Sequence, residues 1–259
     1  MSWQRKVGAV IVALVAVAAV VSLVWTPYDP LQTEVVARLQ GSSPAHWMGT
    51  DQFGRDIASR VMDGARLTLT VAVGAVGLSG LVGVPLGIWA GMRRGASRVV
   101  MAGADLLLAF PALLLAIVFT AVFGASIWIV VLAIGTAGIP AFVRVARAGT
   151  MQVMQRDYIL AARIAKVSGP AIAWRHVLPN IWPLVLTQVS VAVALAILAE
   201  AGLSFLGLGA PAPYASWGRM LQASQPYLAT SPHLALWPGA AIALTVLGFN
   251  LLGNADDRR

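Results

Sequence analysis

Few residues in this chain have the chemistry to do more than fill space. Asp105 and Glu200 each stand inside a long apolar run. A carboxylate in hydrocarbon is costly and is kept for pairing with a cation, for relaying a proton or for gating a path. Asp105 lies about one and a half helical turns into its run, within reach of Arg98 or Arg144 for a pair or of the interface for snorkelling. Glu200 heads the run LAEAGLSFLGLG and could serve as a relay, as a structural acid, or as a gate together with Ser204 and Phe205. Phosphate chemistry has no vehicle here, because neither lysine, Lys6 or Lys166, belongs to a GxxxxGK[ST] loop. No GxSxG elbow is present, and the absence of cysteine removes thiolate ligands, disulfides and a cysteine nucleophile. What remains is the stretch RDYILAARIAKVSGPAIAWRHVLPN, Arg156 to Asn180. It sets Arg156, Arg163, Lys166, Arg175 and His176 against one carboxylate, Asp157. Such a stretch is either a docking element for a soluble partner or an ordinary basic loop.

The elements that position these residues follow from composition. Hydrophobic residues make up 59% of the chain and charged residues 11%, with mean hydropathy +0.80. A soluble domain carries about 25% charge, so this is an integral membrane protein. Six apolar runs reach the roughly 20 residues needed to span: Val7–Trp25, Leu67–Gly91, Val99–Phe123, Ile127–Ala146, Pro183–Leu206 and Leu234–Leu252. The first run is too long for a signal-peptide core and is read as an uncleaved span. Thirteen basic residues (Arg5, Lys6, Arg93, Arg94, Arg98, Arg144, Arg147, Arg156, Arg163, Lys166, Arg175, Arg258 and Arg259) fall on one side and five (Arg38, Arg55, Arg60, Arg66 and Arg219) on the other. Positive charge marks the cytoplasmic side, which places both termini and the Arg156–Asn180 stretch inside. The net charge of +8 is thereby explained without nucleic acid. His46 and His233 then lie outside and His176 inside, which argues against a shared metal site.

Within the basic stretch, Tyr158, Ala161, Ala162 and Ala165 have the spacing of one helix face. Ser168-Gly169-Pro170 breaks the pattern, and a second short helix over Ala171 to His176 is expected to stop near Leu178-Pro179-Asn180. The resulting organisation is a first span over 1–25, an extracytoplasmic segment over 26–66, a five-helix core over 67–254 holding the loop 150–182, and a cytoplasmic tail over 255–259. In the outer segment, Asp51 is expected to cap a turn, followed by a short amphipathic helix at the membrane surface with local pairs among Arg55, Asp56, Arg60 and Asp63. Pro211, Pro213, Tyr214, Trp217, Tyr227 and Trp237 suit an interfacial aromatic belt. Gly74, Gly77, Gly80, Gly83, Gly87 and Gly91 form a stripe suited to close helix packing or to a smooth substrate path. Pro85 should bend that span, and Phe110-Pro111 should kink the next.

The pieces HWMGTDQFGRDIASRVMDGAR, DLLLAFPALLLA, DYILAAR with RHVLPN, LAEAGLSFLGLG, SWGRML and PGAAIALTVLGFNLLG occur in this order over nearly the whole chain. Together they resemble the inner-membrane permease subunits of ATP-binding-cassette importers, specifically the second permease of the dipeptide, oligopeptide and nickel group. The resemblance implies an all-α polytopic fold of the type I importer class, six transmembrane helices and a cytoplasmic coupling helix. It further implies a heterodimer with a second permease in the bacterial inner membrane. Two ATPase subunits would carry ATP and Mg, with no cofactor in this chain, and an extracytoplasmic binding protein would dock near Asp51, Arg55, Asp56 and Trp217. The coupling residues would be Asp157, Tyr158, Leu160, Ala161, Ala162, Arg163, Lys166, Ser168, Arg175, His176, Pro179 and Asn180. Leu160 and Lys166 stand where the family pattern has Glu and Gly, so an ionic contact by that Glu is absent. Cargo is expected to be peptide, with nickel or another small solute as the alternative. A stand-alone ion- or proton-coupled carrier and an intramembrane enzyme are the rival classes.

Overall fold

The computed structural model describes residues 3–209, 211 and 213–253; the charged tail, with Arg258 and Arg259, lies outside the described residues. Its principal helices are α1 (Trp3–Val21), α2 (Ile57–Met92), α3 (Arg94–Ala109), α4 (Ala112–Phe123), α5 (Ile127–Val153), α6 (Asp157–Ile164), α7 (Gly169–Ile172), α8 (Leu178–Phe205), α9 (Trp217–Ser224) and α10 (His233–Gly253). Five continuous helices are long and apolar enough to cross a membrane, and the third expected span is the bent pair α3–α4, whose axes meet at 83°. Phe110 is extended where the pair breaks. Pro111 has no N–H to give and crowds the residue before it, so the helix cannot pass straight through.

The tightest seam joins α2 to α5. A Cβ on Gly83 would fall 2.6 Å from Phe142 Cβ, and one on Gly91 would fall 2.6 Å from Thr150 Cβ. In lipid no hydrophobic drive brings helices together, so close backbone approach and dispersion must do it. The buried Ser79 hydroxyl, shared with its own helix, reaches the Gly135 carbonyl across the seam at 2.6 Å. Not every glycine of the stripe takes part. Gly77 faces open space instead of α5. Helix α8 packs on both α2 and α5, α10 packs on α8, and α1 crosses α10 where Gly8 meets the Gly248 backbone.

One expectation for the outer side needs correction. The surface helix before the second span is not separate: α2 runs unbroken for 36 residues, through Pro85, from Ile57 to Met92. At about 1.5 Å per residue it outreaches a hydrocarbon core of about 30 Å. Its first turns are tied to α9, where the Trp217 ring packs over Gly64 and Trp217 Nε1 donates to the Val61 carbonyl at 2.9 Å. Asp51 caps the turn before α2, as expected, and the cap of α2 itself is Asp56, which accepts from the Ser59 amide at 2.8 Å.

Candidate coupling loop and apolar groove

Helix α6 starts at Asp157 after an extended Arg156 and ends in a tight reversal. There the Val167 amide donates to the Ala162 carbonyl and the Lys166 amide to the Arg163 carbonyl, both at 3.0 Å, with Lys166 at φ +56°. This is a Schellman ending, whose left-handed position favours glycine. Lys166 holds this conformation against the strain of its Cβ.

The second expected helix does not stop at Leu178-Pro179-Asn180. Gly169 to Phe205 forms one helical span through a π turn at Ala173–Val177. Pro179 has no amide for the ladder and its ring would crowd the Arg175 carbonyl in a regular α-helix. The wider turn, closed by the Leu178 amide on the Ala173 carbonyl, accommodates it. Asn180 Nδ2 donates to the His176 carbonyl at 2.6 Å, and the Tyr158 and His176 rings stand 6.2 Å apart, linking α6 to the π turn.

The face of α6 turned to the body is set by Ile159. Ile159 is fully buried in the core that also takes Ile172, Val177 and Ile181, with Ala162 half-buried beside it. Of the residues that share one helix face by spacing, Tyr158, Ala161 and Ala165 are exposed. Leu160 is 59% exposed, Ile164 75% and, across the loop, Trp174 72%. Ser168, Arg156, Arg163, Lys166 and Arg175 are exposed as well, and these four cations make no ion pair among the described residues. The loop is thus anchored by one side and presents hydrocarbon with a basic border on the other.

Beside it, α2, α5, α8 and α10 enclose a groove of about 950 Å³, walled by residues such as Val76, Gly80, Val84, Phe142 and Val189. Trp89, Trp174 and Trp182 line it, and its one charged wall residue is Arg93. The residues expected on a pathway or gate do not line it. Asp105 pairs with Arg144 at 2.7 Å, both side chains about half exposed. Glu200 is buried and gathers hydroxyls from three elements: Ser204 Oγ at 2.7 Å, Thr68 Oγ1 at 3.3 Å, and Ser216. Ser204 is buried with it, while Phe205 is exposed.

At the opposite end, three of the four expected docking residues are interior. Asp51 accepts from the Phe53 and Arg55 amides at 2.8 and 3.0 Å and from Arg55 Nε at 2.7 Å. Asp56 holds His46 Nδ1 at 2.9 Å besides capping α2, and Trp217 is core. Only Arg55 retains some access, and the exposed large groups of the same segment include Trp47 and Phe53. Single tryptophans carry no periodic signal, so neither these nor the groove tryptophans stood out in the sequence.

Comparison with known proteins follows the same architecture. Residues 83–255 match the family described as the inner membrane component of binding-protein-dependent transport systems. The chain is 40% identical over 230 residues, 88% of its length and 76% of the other's, to the glutathione transport system permease protein GsiD of Pectobacterium atrosepticum. It is 37% identical over 249 residues, 96% of its length and 82% of the other's, to the dipeptide transport system permease protein DppC of Alkalihalophilus pseudofirmus. In fold it is similar to a chain of the MetNI methionine ABC transporter in inward-facing form, with TM-score 0.64 and 14% identity over 75% of this chain and 93% of that one. The chain belongs to the permease family of ABC importers, as an inner membrane component of a binding-protein-dependent transport system.

Proposed function

We propose that this chain forms half of the translocation path of an ATP-driven peptide importer and takes its motive force through the 156–180 loop from a separate ATPase. The observation that carries the reading is the unpartnered apolar face of α6. Leu160, Ala161 and Ile164 are exposed on a helix whose other side is locked into the core by Ile159. Apolar groups held open on a rigid, basic-flanked knob mark a protein contact. Two ATPase subunits closing on ATP would push such a knob, and the spans would rock between inward- and outward-open states. The basic end is cytoplasmic by the positive-inside rule. A second permease would cover the groove, and an extracytoplasmic binding protein would sit over the end that carries Trp47 and Phe53. Peptide cargo rests on the relatives' names: dipeptide in one, glutathione, itself a small peptide, in another.

The chain has no cysteine, so Ala161→Cys supplies a unique attachment point. In a transporting complex, a short bifunctional cross-linker at this position is expected to capture an ATP-hydrolysing subunit, with a yield that changes on adding nucleotide. An active complex in which the label captures only lipid or this chain itself would overturn the reading.

The buried acid separates this reading from a proton-coupled carrier. Glu200→Gln keeps the shape and most hydrogen bonds to Thr68, Ser204 and Ser216, and uptake is expected to stay within about threefold of the unmodified rate. Glu200→Leu strands three hydroxyls and should cost about 1–3 kcal/mol, read as a lower unfolding temperature in detergent. Abolition of uptake by Glu200→Gln at normal stability would favour the carrier instead.

A further inference from the structure

The border of the α6 knob says what kind of surface it meets. Three exposed cations surround its apolar centre on the loop: Arg163 and Lys166 at the C-terminal end of α6 and Arg175 on the π turn. None has an anionic partner among the described residues. Lys166 also sits at φ +56°, where a Cβ is strained and glycine would be relaxed. The ammonium is therefore carried at a conformational cost that the fold of this chain does not explain. Leu160 presents hydrocarbon, and Asp157, one turn away at the start of the helix, is the sole carboxylate of α6.

Resting on the coupling reading above, we propose that the knob selects an ATPase whose docking cleft has an apolar floor for Leu160, Ala161 and Ile164 and a rim of carboxylates facing Arg163 and Lys166. The apolar floor supplies affinity, and the rim supplies encounter and choice of partner, the usual division of labour at a mixed interface. Anionic lipid is the other surface that attracts exposed cations beside a membrane. The protein cleft is favoured because the same cations border exposed leucine and isoleucine on a helix fixed by Ile159, and a headgroup layer requires no such rigid, shaped centre.

The test uses the intact complex purified through a tag on this chain, in nanodiscs of phosphatidylcholine alone and of phosphatidylcholine with phosphatidylglycerol. ATPase subunit retained on the tagged chain is measured across a salt series. Lys166→Gly relaxes the backbone while removing the charge, so loss of binding there is not loss of fold. The expected result is a steady fall in retention with salt for the unmodified chain. Retention at low salt should fall about threefold for Lys166→Gly and at least tenfold for Arg163→Glu with Lys166→Glu, equally in both lipids, as expected for charges at an interface rim. Unchanged retention and salt slope in both charge variants, with Ile164→Asp still releasing the ATPase, would overturn the acidic rim and leave the coupling site standing. Charge effects seen only with phosphatidylglycerol would assign the cations to lipid and likewise overturn the rim. If neither the charge variants nor Ile164→Asp alters retention, the coupling site itself falls.

Discussion

A chain carrying Ala161→Glu is expected to reach the membrane in normal amount and to support uptake about a hundredfold slower than the unmodified chain, the size of loss typical when one central interface residue is spoiled. The argument is one of direction. At about 100° per residue, Ala161 lies nearly opposite Ile159 around α6, so its Cβ points away from the body. It is exposed, flanked by exposed Leu160 and Ile164, and a larger side chain meets no fixed atom of its own chain. A carboxylate there would have to be desolvated in any apolar cleft that receives the knob, a cost of several kcal/mol when unpaired. Ala162 is the contrasting position: half-buried toward Ile159, it would injure α6 itself when enlarged, and loss of uptake there would say nothing of docking. Uptake assays alongside quantitation of the chain in membranes decide the matter. Near-normal uptake by the Ala161→Glu chain would mean that the outward face of α6 touches nothing during the cycle.

How much of this could be read from the sequence depended on the length over which each signal is averaged. Runs of about 20 apolar residues located every span, because hydropathy sums over the whole run. Phe110-Pro111 marked a break, but an 83° bend is set by how α3 and α4 each pack, which no dipeptide encodes. For α6, eight residues with two alanines gave a weak periodicity, since alanine is content on either face. One buried isoleucine, Ile159, decided the orientation, which the spacing alone had left open. Pro179 looked like a stop because its effect in a regular helix is well defined; a π turn absorbed it instead. The docking candidates failed for a related reason. Asp51, Asp56 and Trp217 are polar or amphipathic types that usually sit at surfaces, yet here the loop between α1 and α2 folds back on α2 and α9 and consumes them as internal struts. The strained backbone of Lys166 was hinted at only by the family's glycine.

The second large effect is expected in the α2–α5 seam, where Gly87→Leu should remove most of the chain from the membrane. A Cβ at Gly87 would lie 2.5 Å from the Val143 carbonyl oxygen, 2.7 Å from Ala146 Cβ and 3.0 Å from the Arg147 amide nitrogen. Two of these three are backbone atoms of a helix interior, so no rotamer change relieves the contact. The helices must separate, and the contacts at Gly83 and Gly91 on either side open with them. Overpacking of this kind costs about 1–3 kcal/mol or more at a single site, and loss of the flanking contacts adds to it. Leucine is the better helix former by nearly 1 kcal/mol, which works in the opposite direction and is the smaller quantity. The control is Gly77→Leu, ten residues earlier in the same helix, where no atom lies within 4 Å of a Cβ. That chain gains helix propensity and meets no clash of its own, so its level in membranes should match the unmodified chain. Its side chain would, however, enter the apolar groove that Gly77 lines. A second permease subunit seated there would register the change as lost assembly at normal chain level. Equal abundance of the Gly77→Leu and Gly87→Leu chains would remove the reason for placing glycine at the seam, because close approach of α2 and α5 would then not depend on a missing Cβ.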